Sequence, residues 1–245
     1  MNNIQIPPVV KNLLIINGIM LLASWVFKQQ QGRELSELLG AYYFDSPNFK
    51  VWQIFTYMFM HADISHLFFN MFGLFMFGGI LEHKWGPKKF LNFYFITGLG
   101  ALALQWLVQG IEVYQITGSF LNKSALPLEL FAEGKFNPNV FSPSQASTLY
   151  SSYFGPMVGA SGAVFGVMTA FAVMYPNMEL MLLFIPFPVK AKYFIPIYIV
   201  IELFLGVARI PGDSIAHFAH LGGALIGFIL AKIWKDKDRF YNYYE

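Results

Sequence analysis

Two short glycine-framed motifs carry the residue types that nucleophilic acyl transfer needs. Gly159-Ala160-Ser161-Gly162 presents a hydroxyl among small residues, and His220 is followed by Gly223 and Gly227 at i+3 and i+7. Serine is a weak nucleophile until a base takes its proton, and histidine titrates near neutrality, which suits a base. At a helix start, unpaired backbone N–H groups and the helix dipole favour an oxyanion. Glycines beside the serine let a substrate backbone come close. His66 and Asn70 are i and i+4, hence on one helical face, and both can donate to an oxyanion. Phe165, one turn beyond Ser161, is placed to stack on an imidazole. No Asp or Glu stands near His220 at its depth except Asp213, in the loop before its helix. The pattern therefore predicts a Ser–His dyad without an acidic third member.

Each residue also has a plainer role. A serine among glycines at a helix start is commonly packing or an N-cap. A histidine or asparagine in an apolar helix commonly bonds a neighbouring helix. What favours chemistry is depth, which follows from the elements that carry these residues.

Hydrophobic residues make up 56% of the 245-residue chain, charged residues only 12%, and mean hydropathy is +0.50. Soluble domains carry about 25% charged residues, so the outer surface is expected to face lipid. A spanning helix needs roughly 20 mostly apolar residues. Six candidate spans appear: Asn12–Phe27, Ile64–Leu81, Phe90–Ile111, Ala160–Tyr175, Tyr193–Ala208 and Ser214–Trp234. The fold class expected is all-α, a polytopic six-transmembrane-helix bundle. One membrane domain is expected over 1–245, with its core at about 52–232 and a tail at 235–245. Residues 28–56 mix aromatic and polar types, as an interfacial segment does. Residues 112–156 read as a long outer loop, with a short helix or re-entrant piece possible at Leu126–Phe131. Leu180–Val189 is apolar but interrupted by Pro186 and Pro188, too short and proline-rich to span. The first apolar run has no cleavage-site pattern after it and reads as a retained helix.

Lys and Arg orient the bundle. With the N-terminus inside, the inner segments hold ten of them (Lys11, Lys84, Lys88, Lys89, Lys190, Lys192, Lys232, Lys235, Lys237, Arg239) and the longer outer segments six. Both termini are thus expected in the cytoplasm, with the chain a multi-pass protein of the cell (inner) membrane. Ser161 then begins the fourth span just below the outer face. His220 lies about two turns into the sixth span, and His66 and Asn70 lie in the outer half of the second. Four costly polar residues share one depth on three helices. Gly162 and Gly166, facing Gly223 and Gly227, offer two small-residue faces that allow close helix approach.

On these residues the sequence resembles the rhomboid family of intramembrane serine proteases, over about residues 52–232. The family's three motifs appear in order, as His61-Ala-Asp-Ile-Ser-His66-Leu-Phe-Phe-Asn70, Gly159-Ala160-Ser161-Gly162 and Ala219-His220-Leu-Gly-Gly223-Ala-Leu-Ile-Gly227. The resemblance implies Ser161 and His220 as the catalytic pair. It implies His66, Asn70 and the Ser161 amide as oxyanion donors, and Phe165 beneath the histidine. It implies single-span membrane-protein substrates cut near the outer face, and no cofactor or metal. The family's Trp-Arg pair in the first outer loop has no clear counterpart; Trp52-Gln53 is the nearest.

Rival readings are a rhomboid-like pseudoprotease that binds membrane clients, and a transporter centred on Glu202 and His217. The first has no need of the retained Ser161, His220, His66 and Asn70. The second is disfavoured by the missing inverted repeat and the outer depth of the polar set. Glu202 reads as a buried interhelical hydrogen-bonding residue and His217 as lining the site. Four of the five histidines are His61, His66, His217 and His220, but no H-E-x-x-H pattern accompanies them, so a zinc protease has little support. Net charge is +2 and there is no cysteine. Nucleic-acid binding is therefore not expected, and disulfides and thiol chemistry are excluded. If neutral His220 is the base, activity should fall below about pH 6, near the ordinary imidazole pKa.

Overall fold

The structure, a computed structural model, describes residues 5–122, 126, 135–182, 185–208 and 215–241. Its helices are α1 (Pro8–Gln31), α2 (Ser36–Leu39), α3 (Gln53–Thr56), α4 (Ile64–Gly73), α5 (Gly79–Trp85), α6 (Pro87–Thr117), α7 (Pro143–Phe154), α8 (Ser161–Met174), α9 (Ala191–Ala208) and α10 (His217–Tyr241). A π-helical turn, Leu74–Gly78, joins α4 to α5 into one continuous rod. Five of these rods are long and apolar enough to cross a membrane: Pro8–Gln31, Ile64–Trp85, Pro87–Thr117, Ala191–Ala208 and His217–Lys235. The mostly helical, polytopic architecture is therefore as expected.

Several boundaries move outward. α1 starts four residues earlier than the apolar run, behind Pro7, because proline is accepted in a first helical turn. It continues through Lys28-Gln29-Gln30-Gln31, which are polar but good helix formers. Likewise α6 runs on to Thr117, into the stretch expected to be loop. That loop also holds α7, which opens on a capping box: the Ser142 hydroxyl accepts from the Gln145 amide, and the Gln145 side chain accepts from the Ser142 amide. Most of Leu126–Phe131 lies outside the described residues.

Beside the helices stands a short pair of strands. Leu180–Val189 is part of an antiparallel hairpin, β1 (Glu179–Leu182) and β2 (Ile185–Lys190). Pro186 and Pro188 remove two donors and forbid a helix, while a two-stranded ribbon has outer edges that need no donor. Glu179 pairs with Lys190 in the register, placing opposite charges across the strands.

The core is built round α8. This helix has 14 residues, about 21 Å at the usual rise, and Gly162 through Phe171 are all buried. It packs chiefly on α10 and α6. The approach is so close that a Cβ on Gly223 would lie 1.8 Å from the Gly162 carbonyl oxygen, and one on Gly227 would lie 2.5 Å from that of Gly166. On the opposite side, a Cβ on Gly162 would meet Ala101 at 2.4 Å and one on Gly166 would meet Thr97 at 2.5 Å. Backbone cannot yield as a side chain can. Gly223→Ala is therefore expected to cost about 3 kcal/mol, the upper part of the overpacking range, read as lost resistance to denaturant in detergent. A Gly223→Ala variant as stable as wild type would show that α8 and α10 are not held this closely.

Two further ties fix the frame. The Glu82 carboxylate accepts the Val9 and Val10 amides at 2.9 and 2.8 Å, placing a buried acid at the α1 N-terminus. On the α7 side, Asp45 Oδ2 accepts the Asn122 amide at 2.6 Å and the Tyr153 hydroxyl at 3.0 Å. The Ser46 hydroxyl donates to the Tyr153 carbonyl at 2.5 Å. The segment after α1 and the segment around α7 are thus bound to each other. Beside Asp45, burial and the carboxylate push the Tyr43 phenol up to about 12.

Candidate active site

Ser161 is the first residue of α8. The residue before it, Ala160, already has helical backbone angles, and no side chain caps this end. The hydroxyl is therefore not spent on the amides of the first turn, which is what an N-cap serine would do. Instead Ser161 Oγ lies 2.8 Å from His220 Nε2. Gly159, two residues upstream, has φ 127°, a left-handed conformation that side chains disfavour. Its amide donates to the Tyr57 carbonyl at 3.0 Å, and Met157 forms a bridge with Ala41. The chain entering α8 is thus held from both sides.

His220 stands in the first turn of α10. Phe165 lies flat against it, with ring centroids 4.4 Å apart and planes 7° apart. Tyr198 of α9 backs Phe165 at 5.0 Å. The imidazole is so fixed in plane, with Nε2 towards Ser161.

The expectation that no acid approaches His220 fails. Glu202 Oε2 lies 2.7 Å from His220 Nδ1 and also 2.7 Å from His217 Nδ1. The acid is 18 residues upstream, on α9, and two antiparallel neighbours bring it in. Gly206, one turn beyond Glu202, makes the approach possible: a Cβ there would lie 3.1 Å from His217 Cβ. Glu202, His217 and His220 are all buried. Their three donor atoms lie within 4.8 Å of one another and could share one cation. As they stand, the carboxylate oxygen itself bridges the two imidazoles.

On the other side of Ser161, Asp63 caps α4. It accepts the His66 amide at 2.8 Å and the Ser65 hydroxyl at 2.8 Å, and the first of these holds its carboxyl below the usual range. The Ala62 amide donates to His66 Nδ1 at 3.4 Å. A nitrogen that accepts carries no proton in neutral imidazole, so this long contact favours the hydrogen on Nε2. That nitrogen adjoins Gly159: a Cβ on Gly159 would sit 2.9 Å from His66 Nε2 and 3.4 Å from Ser161 Oγ. Asn70, buried, gives one amide hydrogen to the His66 carbonyl at 2.9 Å, which leaves the second. His66 Nε2 and the Ser161 hydroxyl thus both border Gly159.

His61 packs edge-on to His66, ring centroids 5.0 Å apart. Burial, and then the charge His66 can carry, push its imidazole down to about 4 from the ordinary 6.5. Between those values the unfolded chain binds a proton that the folded chain refuses. Stability therefore falls as pH falls through that window. The melting temperature is expected to drop from pH 6.5 to 4, and His61→Phe to flatten part of the drop. An unchanged slope in that variant would remove His61 as a cause.

Of the residues singled out from sequence, the fold brings Ser161, His220, Phe165, Gly159 and His66 to one place, with Asn70 one turn behind His66. Gly162, Gly223 and Gly227 form the packing that lets α8 and α10 meet. A family model described as Rhomboid domain matches residues 48–118 and 137–236. The chain belongs to the rhomboid family. RHOMBOID-like protein 12, mitochondrial, of Arabidopsis thaliana is 29% identical over 237 residues, covering 95% of this chain and 60% of that protein. Rhomboid protease AarA of Providencia stuartii is 28% identical over 195 residues, covering 74% and 54%. An uncharacterized mitochondrial rhomboid protein of Schizosaccharomyces pombe is 26% identical over 209 residues, covering 76% and 52%. The chain thus spans about half to three fifths of the length of these rhomboid relatives. As a rhomboid with five long apolar helices among its described residues, it is a multi-pass integral membrane protein.

Proposed function

We propose that this rhomboid is an intramembrane serine endopeptidase, with Ser161 as nucleophile and His220 as general base. The observation that carries this reading is the 2.8 Å contact between Ser161 Oγ and His220 Nε2, made across two helices. A hydroxyl proton held at that distance can pass to the imidazole as Oγ attacks a carbonyl carbon. The carbonyl π pair then moves to oxygen. That oxyanion meets the free amides at the α8 N-terminus and the His66 and Asn70 donors. Protonated His220 next gives its proton to the leaving amine, and water completes hydrolysis by the same relay. No residue in this scheme calls for a metal or cofactor.

The substrates proposed are single-span membrane proteins, cut near the outer face. Support comes from the depth of Ser161, which begins its helix, and from the lipid-facing exterior. Gly159 and Gly162 leave room for an extended substrate backbone. The chain is read as one six-span membrane domain, α8 being the short fourth span, with both termini cytoplasmic in the cell (inner) membrane. The Lys and Arg distribution supports that orientation. A non-cleaving, client-holding rhomboid would have no reason to keep Ser161 hydrogen-bonded to His220.

The test is cleavage of a tagged single-span substrate in proteoliposomes, with the cut mapped by mass spectrometry. A cut near the outer end of the substrate helix, with Ser161-dependent fluorophosphonate labelling, is expected. Folded wild-type protein that neither cuts nor labels would leave the client-holding reading in its place.

A further inference from the structure

Resting on that reading of Ser161 and His220, we propose that Glu202 is a positioning residue. It holds the His220 imidazole in the tautomer that can accept the Ser161 proton, and His217 anchors Glu202 by sharing the same oxygen.

Neutral imidazole can carry its hydrogen on either nitrogen. With the hydrogen on Nε2, His220 would point a donor at the Ser161 hydroxyl and could not take its proton. The Phe165 face fixes the ring plane but is apolar, so it does not distinguish the ring from its flipped counterpart or one tautomer from the other. Glu202 does. An ionised carboxylate only accepts hydrogen bonds, so an Nδ1 at 2.7 Å from Oε2 must carry the hydrogen. Nε2 is then left with its lone pair towards Ser161 Oγ.

His217 answers a second difficulty. A carboxylate on an apolar helix is costly unless it is well hydrogen-bonded. Two charge-assisted bonds of 2.7 Å, from His217 and His220, meet that need. They also hold Glu202 from the first turn of α10, where His217 sits three residues before His220. When Ser161 gives up its proton, Nδ1–H stays on His220 and the carboxylate stabilises the cation that forms. The acid comes from α9, the serine from α8 and both histidines from α10. Positioning of the base therefore depends on α9 lying against α10.

The test uses full-length protein in detergent and in proteoliposomes. Glu202→Gln keeps the shape but can donate as well as accept, so it no longer dictates the tautomer. Its kcat is expected to fall about 100-fold with KM nearly unchanged, within the range of a general-base contribution. Imidazole nitrogen NMR is expected to show His220 as Nδ1–H in wild type and to lose that signature in Glu202→Gln. His217→Asn, whose amide nitrogen can replace Nδ1 as donor, should keep most activity, whereas His217→Phe should lose roughly tenfold or more. Melting curves identify variants that merely unfold, and the wild-type NMR signature is read without any variant. A folded Glu202→Gln with wild-type kcat, or wild-type His220 carrying its hydrogen on Nε2, would overturn the proposal. Wild-type protein with the Nδ1–H signature but no Ser161-dependent labelling would instead defeat the protease reading and leave the Glu202 contact standing.

Discussion

Ser161→Ala is expected to lower kcat by roughly 10⁴- to 10⁶-fold, with substrate binding intact, because on the proposed reading Ser161 is the group that forms the acyl intermediate. His220→Ala should lose nearly as much. The double variant should lose scarcely more than either, since attack and proton transfer belong to one step and removing either partner disables it. The structure makes the joint dependence concrete: Oγ and Nε2 are each other's partners at 2.8 Å. Single-turnover cleavage in proteoliposomes, with substrate concentration varied, separates the loss in kcat from any change in KM. If the two single losses multiply in the double variant, serine and histidine act in different steps. If Ser161→Ala still cuts, the nucleophile lies elsewhere.

Depth was the most useful quantity legible in the sequence. It placed Ser161, His220, His66 and Asn70 in one layer because helical rise is constant and span edges are marked by charge. Small residues at Gly162, Gly166, Gly223 and Gly227 signalled which helices meet, because only small residues allow backbones to touch. Glu202 reads from sequence as a buried interhelical hydrogen-bonding residue, but not as the partner of His220. It is 18 residues from His220, on a different helix, so no short-range pattern links the two. Glu202 lies six residues from the Ala208 end of α9, about 9 Å along the helix by its rise. The face of α9 turned towards α10 is not legible in the sequence, although Gly206 one turn away is a hint. The hairpin at 179–190 escaped for a different reason. Prolines exclude a helix but do not choose between loop and strand, and the pairing of Glu179 with Lys190 is settled by the ends of α8 and α9. The network at Asp45 rests on contacts between residues 77 and 108 positions apart, which no local pattern encodes.

Asn70→Ala and His66→Phe are each expected to lower kcat by about 10²- to 10³-fold while KM changes little, the loss typical of one oxyanion donor. The reason lies in a contrast between two histidines. Glu202 takes the Nδ1 hydrogen of His220 and leaves Nε2 bare. The Ala62 amide donates to Nδ1 of His66 and favours the hydrogen on Nε2. One imidazole therefore meets the serine as an acceptor and the other borders Gly159 as a donor, and each is set by a different neighbour. The donor is useful only if it comes close to Ser161, and Gly159 decides that. Any side chain there would strain a backbone at φ 127° and press on His66 at 2.9 Å. Gly159→Ala is thus expected to resemble loss of the His66 donor, in kcat rather than in KM. Fluorophosphonate labelling offers an independent reading, since the phosphonyl oxygen also develops negative charge during attack. Labelling of Ser161 should slow in Asn70→Ala and His66→Phe in parallel with cleavage. Labelling at the wild-type rate in both variants would mean that the developing charge is carried by the α8 amides alone.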